Sequence, residues 1–217
     1  MGKIPILTGN QKIILAEVVK EEFFKQFYFT GGTALSAFYL NHRESEDLDF
    51  FSESKFELQP IYSFFENLGK VHKFEFTAEF MEVVYILRLK YENNEILKVD
   101  FGYYPYLKVE KGKDIDGLTI DSLIDIAINK LQTITQRTTV KDFVDLYFLL
   151  QKFTIWDLIN GVRVKFGQKL EPFVLASDFL KVEDFDIMPK MIKPLTIEQL
   201  QNFFRQKAVE IGKNAVE

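Results

Sequence analysis

The chain has no cysteine among its 217 residues and only two histidines. A disulfide framework, a thiolate zinc site and a cysteine nucleophile are therefore excluded, and an imidazole-rich metal centre is not expected. No apolar run approaches the ~20 residues that cross a bilayer, and the start of the chain shows no signal-peptide pattern. No membrane partner is expected, and a soluble, cytoplasmic protein is. Positive charge is also in short supply. With 27 Lys and Arg against 32 Asp and Glu, a net −5, the chain lacks a broadly basic, sequence-independent nucleic-acid surface. A local basic groove stays compatible with RNA, with Lys130, Arg137 and Lys141 as its candidates.

Phenylalanine is abundant, at 23 residues in a chain that is 47% hydrophobic. That composition supports an aromatic-rich core and, at this length, one large domain or two small ones.

The chain is organised around Phe27 to Ser52, FYFTGGTALSAFYLNHRESEDLDFFS. Phe27 to Phe29 predicts a short strand. Gly31 and Gly32 break it, Thr33 opens a helix over Ala34 to Asn41, and a charged link leads to a second strand, Asp47 to Phe51. Two glycines between a strand and a helix let backbone approach a ligand without Cβ clashes. The N–H groups that open a helix favour an anion, usually phosphate, and Thr33 can cap that helix or offer its hydroxyl to a phosphate oxygen. Side chains two apart on a strand share a face, so Asp47 and Asp49 lie roughly 7 Å apart at Cα. Two carboxylates so placed can hold Mg²⁺ together with substrate phosphates. The Asp-x-Asp pattern recurs at Asp114/Asp116, before Gly117 in a turn, and at Asp184/Asp186, in a charged loop. Both recurrences read as solvated pairs, whereas Asp47 and Asp49 are flanked by Leu48, Phe50 and Phe51.

The rest of the chain predicts a helix over residues 10–26 with Asn10 as its cap, and another over Phe56 to Leu68. Strands follow at Val71 to Phe76, Glu82 to Tyr91 and Ile96 to Tyr103, with an Asn93-Asn94 turn between the last two. Asp100 is the one acid in this hairpin set amid apolar neighbours. It can complete a metal site or be an edge-strand acid facing water. Tyr104 to Gly117 is irregular and marks the domain boundary. A helix over Asp121 to Thr135 carries Lys130, and Asp121 and Asp125 suit its N-terminal end. Thr139-x-x-Asp142 is close to a capping box for a helix over Val140 to Gln151, on which Lys141 and Asp145 can pair four residues apart. Helices over Ile155 to Phe166, Pro172 to Leu180 and Ile197 to Val209 complete the chain, and no chemistry is legible in them.

Two of these stretches carry a resemblance. Gly31-Gly32-Thr33-Ala34-Leu35, followed by His42-Arg43-x-Ser45-x-Asp47-Leu48-Asp49-Phe50-Phe51, is similar to the nucleotidyltransferase core of the AbiEii/AbiGii toxin family, within the DNA polymerase beta-like superfamily. Arg137 to Leu150, RTTVKDFVDLYFLL, resembles that family's Arg…Lys-Asp-x-x-Asp-Leu segment. The resemblance covers roughly residues 10–210. It implies an α+β fold: a polymerase beta-like core over 1–110, with a mixed sheet flanked by helices, then a helical region over 118–217 that closes the nucleotide cleft. It implies NMP transfer from an NTP to an acceptor hydroxyl, possible at a tRNA 3′ end, by the toxin of a toxin–antitoxin or abortive-infection system. A cognate antitoxin is the implied partner, and Mg²⁺ the implied cofactor. Asp47, Asp49 and Asp100 are then the metal ligands and, with Lys130 and Asp145, the catalytic residues. Gly31, Gly32, Thr33, Arg43, Ser45, Lys130, Arg137, Lys141 and Asp142 bind the nucleotide. Two alternatives stand beside this reading: a transferase acting on a protein or small molecule, and a nucleotide- or partner-binding module without transferase activity.

Overall fold

The molecule is described, over residues 6–213, from a computed structural model. Residues 1–5 and 214–217, which the two expected domains include, lie outside the described residues. The fold is α+β, and contacts divide the chain into two units. The first takes the chain up to Ala37, then Ser45–Leu107 and Gly112–Asp121; the second takes Phe38–Glu44, Lys108–Lys111 and the chain from Ser122 onward.

The first unit is built on a seven-stranded mixed sheet. Its strands are β1 (Tyr28–Thr30), β2 (Leu48–Ser52), β3 (Phe74–Met81), β4 (Val84–Tyr91), β5 (Ile96–Tyr103), β6 (Lys113–Ile115) and β7 (Leu118–Ile120). They run in the order β3-β4-β5-β2-β1-β7-β6. The pairs β2–β5 and β1–β7 are parallel and the other neighbours antiparallel. The period of two gives the sheet two unlike faces. One carries Phe29, Phe50, Leu48, Val99 and Phe101, all buried. On it Phe50 stacks on Phe101 (centroids 5.1 Å apart, planes 11° apart), and Phe24, Phe27 and Phe65 surround Phe101. Each buried phenylalanine contributes on the order of 1.5–3 kcal/mol. The other face carries Thr30, Asp49, Phe51, Lys98 and Asp100.

Several local expectations are corrected. The first helix, α1 (Gly9–Val18), is capped by Thr8, not Asn10: Thr8 and Gln11 form a reciprocal capping box. The chain then leaves the α-helix and makes a 3-10 turn over Glu22–Gln26. The helix after Gly-Gly starts earlier than expected, as α2 (Gly31–Leu35) with Thr30 at its cap, and continues as a π-turn over Ser36–Leu40. Helix α3 (Leu58–His72) outlasts its apolar stripe and stops at Lys73 in the left-handed region. The stretch read as irregular contains β6 and the turn of the hairpin β6–β7, whose second strand follows Gly117. Asp116 (φ 53°) and Gly117 (φ 84°) form its tip, where paired positive φ values match the twist of the strands. Three-residue strands are too short for alternation to be visible in sequence.

The second unit contains α4 (Leu123–Gln136), α5 (Val140–Leu149), α6 (Ile155–Phe166), α7 (Pro172–Leu180) and α8 (Ile197–Lys213). Helix α4 packs on α5 and α6, and α5 and α7 pack on α8. Phe143 and Phe179 meet Phe204 edge-on at 4.9 and 5.1 Å. At Gly161 on α6 a Cβ would lie 2.4 Å from the Ile128 Cδ1, so a glycine there lets the helices approach. Ser122 caps α4, while Asp125 in its first turn is wholly buried. Lys165 donates to Asp125 at 2.6 Å, and the N–H groups of Val109 and Glu110 donate to it at 3.0 Å each. Asp121, expected on the helix, lies before it: its carboxylate accepts from the Thr30 hydroxyl at 2.8 Å.

Candidate active site

In the first unit the sequence-predicted carboxylates come together on the polar face of the sheet. Strand register places Asp49 on β2 beside Asp100 on β5 and beside Thr30 on β1. Asp47 immediately precedes β2. Gly31, with φ 75°, lies directly against Asp49: a Cβ built there would fall 2.0 Å from the Asp49 Oδ2. The glycine is needed both for its backbone conformation and for this contact. Thr33 has another task than the one expected. It lies inside the first turn of α2, and its hydroxyl donates to the carbonyl of Asp47. It thus ties the helix to the start of β2 and is not the helix cap.

Asp100 is 8% exposed on an interior strand, which removes the reading of an edge acid facing water. Its Oδ2 accepts from the Lys98 ammonium, while its Oδ1 is buried without a hydrogen-bond partner. Burial raises its pKa, Lys98 draws it down, and the charge of Asp47 pushes it up again. A buried carboxylate with an orphaned oxygen and an acidic neighbour is what a cation would relieve. Among the described residues no three carboxylates or imidazoles converge closely enough to form a complete metal cage. Hard oxygen donors that leave the shell incomplete fit an ion that fills the rest of it with water and phosphate oxygens, as Mg²⁺ does.

In the second unit a buried ionic cluster gathers on α5. Asp145, wholly buried, accepts from His42 Nε2 at 2.7 Å and from Arg43 through Nε at 2.7 Å and Nη2 at 2.8 Å. Lys130 Nζ lies 2.6 Å from its other oxygen. Lys130 also donates to Asp142 at 2.7 Å, and Asp142 accepts from Arg137 at 2.9 Å and from the Thr139 hydroxyl. Asp142 is therefore not a capping residue: Thr139 makes no side-chain cap bond, and the Asp142 carboxylate faces two cations. The expected pairing of Lys141 with Asp145 gives way likewise, since Asp145 is buried among His42, Arg43 and Lys130 while Lys141 is exposed.

Burial alone would raise the Asp145 carboxyl, but Lys130 and Arg43 hold it far below the usual carboxylate range. Burial works against the charge of Lys130 too, and Asp145 and Asp142 override it, so its pKa is raised. For His42 burial wins over Asp145, and the pKa falls. The segment bearing His42 and Arg43 is itself anchored: the His42 carbonyl accepts from the N–H groups of Ile192 and Lys193 at 2.9 and 3.0 Å, and Arg43 bridges Met191.

The structure thus gathers Gly31, Thr33, Asp47, Asp49 and Asp100 in one unit, and Arg43, Lys130, Arg137, Asp142 and Asp145 in the other. Arg43 and Ser45, close in the motif, fall in different units. Ser45 is present through its backbone, where Gln11 Nε2 donates to the carbonyls of Ser45 and Glu46 at 3.0 Å each. Sequence reasoning missed Gln11, Lys98 and the role of His42. Lys98 was within reach, because it lies two residues before Asp100 and so on the same face. The link from Gln11 to the Ser45 and Glu46 carbonyls was not, since these lie more than thirty residues away.

A family model described as nucleotidyl transferase AbiEii toxin, type IV toxin–antitoxin system, matches residues 13–213. The chain belongs to this family. It is accordingly a nucleotidyltransferase of the toxin type. An uncharacterized protein of Aquifex aeolicus (strain VF5) is 30% identical over 216 residues, covering 96% of this chain and 98% of that protein. Among solved structures, JHP933 of Helicobacter pylori aligns with TM-score 0.57 at 24% identity, over 95% of this chain and 92% of that one. MenT4, a nucleotidyltransferase toxin of Mycobacterium tuberculosis H37Rv, aligns with TM-score 0.57 at 16% identity, over 92% of this chain and 82% of its own. At these identities the structural likenesses establish the α+β nucleotidyltransferase fold. Among the described residues no helix is long and apolar enough to cross a membrane.

Proposed function

We propose that this AbiEii-family chain transfers a nucleoside monophosphate from an NTP to an acceptor hydroxyl, with Asp47, Asp49 and Asp100 holding a divalent ion, Mg²⁺ by its hard oxygen donors. The observation that carries this reading is the row formed by Asp49 and Asp100 on neighbouring strands, with Gly31 pressed against Asp49. When bound, the ion would neutralise phosphate charge and lower the pKa of the acceptor hydroxyl. The acceptor oxygen attacks the α-phosphorus, the bond to the bridging oxygen of the β-phosphate breaks, and pyrophosphate leaves. Asp100, on the strand beside Asp49, helps to deprotonate the acceptor hydroxyl. The Gly31-Gly32 backbone receives the triphosphate.

In the helical unit, Asp142 and Asp145 set the position of Lys130, and Lys130, Arg137 and Lys141 are the cations of that unit assigned to phosphate charge. Arg43, held bidentately by Asp145, supports the charge balance of that cluster from within. The acceptor is RNA, with a tRNA 3′ end as the leading choice. The partner is a cognate antitoxin, and the site of action is the cytoplasm. The test is incubation with each labelled NTP, Mg²⁺ and total bacterial RNA, beside an Asp49→Ala control. Label should enter tRNA-sized RNA with the intact protein and be absent with the variant. Equal labelling by both proteins would remove Asp49 from the mechanism, and Mg²⁺-dependent NTP binding without RNA labelling would point to another acceptor.

A further inference from the structure

The polar face of the first unit carries a second row beside the acidic one. Register pairs Thr30 and Asp100 with Asp49, and one step along the same face it pairs Tyr28 and Gly102 with Phe51. The two rows are two residues apart on β2, roughly 7 Å. The second row is aromatic, and it extends past the end of β5. Tyr28 meets Phe51 edge-on at 6.3 Å, Tyr104 lies over Phe51 at 5.0 Å with the planes 33° apart, and Tyr106 meets Tyr104 at 4.8 Å. The ladder runs from a buried end, Tyr28 at 3% exposure, to a solvent end, Tyr106 at 37%. It depends on Gly102: a Cβ there would fall 2.9 Å from the Phe51 ring, so any side chain would lift the ring off β5. The Tyr104 N–H donates to the Ser52 carbonyl at 2.7 Å, which continues the β2–β5 ladder and fixes the ring over Phe51.

We propose that Phe51, Tyr104 and Tyr106 form a nucleobase-stacking subsite, adjoining the phosphate and metal chemistry assigned above to Asp49 and Asp100. The inference rests on that reading and adds the recognition of the base. Aromatic rings accept any base by its π-face, and an aromatic row one register step from a carboxylate row is within reach of a single nucleotide. The base belongs either to the incoming NTP or to the terminal residue of a single-stranded acceptor; the chemistry is shared.

The test compares wild type with Tyr104→Ala, Tyr104→Phe and Tyr106→Ala. Each NTP and inorganic tripolyphosphate are titrated in Mg²⁺ by calorimetry, and a short single-stranded RNA by fluorescence anisotropy. Wild type should bind at least one NTP or the RNA, and Tyr104→Ala should weaken that affinity by about tenfold. Tripolyphosphate affinity should not change, and Tyr104→Phe should keep the wild-type value. Tyr106→Ala, at the exposed end, gives the same readout without disturbing the core. A loss confined to NTP assigns the base to the nucleotide substrate; a loss confined to RNA assigns it to the acceptor. Unchanged NTP and RNA affinities in both alanine variants, with wild type binding normally, overturn the subsite and leave the proposed function standing. Failure of wild type to bind either probe overturns the proposed function, and the subsite with it.

Discussion

Asp100 holds a charge that its surroundings disfavour. Burial raises its carboxyl pKa despite Lys98, and one oxygen has no partner. A folded-state pKa above the unfolded one means that folding binds extra protons just above 3.8, so this group's contribution to stability is lost as pH rises through that window. At neutral pH the ionised carboxylate is therefore a net cost to the fold, of the sort stored at working sites. Asp100→Asn should abolish nucleotide transfer while raising Tm, each 1 kcal/mol of relief giving about 2–4 °C in a chain of this size. Differential scanning calorimetry beside the RNA-labelling assay checks it; a lowered Tm would show that Lys98 had already compensated the charge.

At the scale of an element, α5 is a short helix that gathers distant cations. Asp142 and Asp145 stand three residues apart on it and receive Lys130 from α4, Arg137 from the link between the helices, and His42 with Arg43 from a segment about a hundred residues earlier. Removing one partner of a buried ion pair leaves the other charge uncompensated, at a cost of about 3–5 kcal/mol. Asp145→Ala strands two buried cations at once, Arg43 and Lys130, and should lower unfolding free energy by at least that range in urea denaturation. A change below about 1 kcal/mol would mean that water reaches the cluster in solution. Arg137, whose side chain is 62% exposed, should matter little to stability.

Over the whole molecule the buried ionisable groups set the pH range in which the fold holds. Asp125, Asp142 and Asp145 have folded pKa values below the usual 3.8. Their stabilisation is present above that value and is lost as pH falls through it. His42, lowered from 6.5 by burial, binds a proton less readily in the folded chain than in the unfolded one, so stability is removed as pH falls below 6.5. Lys130, raised above 10.5, withdraws its contribution only at more alkaline pH. Asp100 runs the other way and is outnumbered. The urea midpoint should therefore be flat across the neutral and mildly alkaline range, fall gently below pH 6.5 and fall steeply below pH 4. A midpoint that rises on acidification from neutral would contradict this balance.

Sequence by itself determined the parts that local chemistry controls. The glycine pair between strand and helix, the Asp47/Asp49 spacing, the strand Ile96–Tyr103 and helices α6 and α7 were legible because turn conformation and periodicity are properties of neighbouring residues. The family resemblance supplied the α+β class. What only the tertiary structure decided was the partner of each polar group. Thr33 was a cap by its position and became a tether for Asp47. Asp142 was a cap by its spacing and became a partner of Lys130 and Arg137. Tyr104 and Tyr106 lay in a stretch read as irregular, and only the path of the chain past the end of β5 set Tyr104 over Phe51 and Tyr106 against Tyr104. The reason is physical. A helix or turn is specified by interactions within a few residues, whereas the desolvation of a charge is compensated by whatever opposite charge the fold brings close, and sequence separation does not limit that choice.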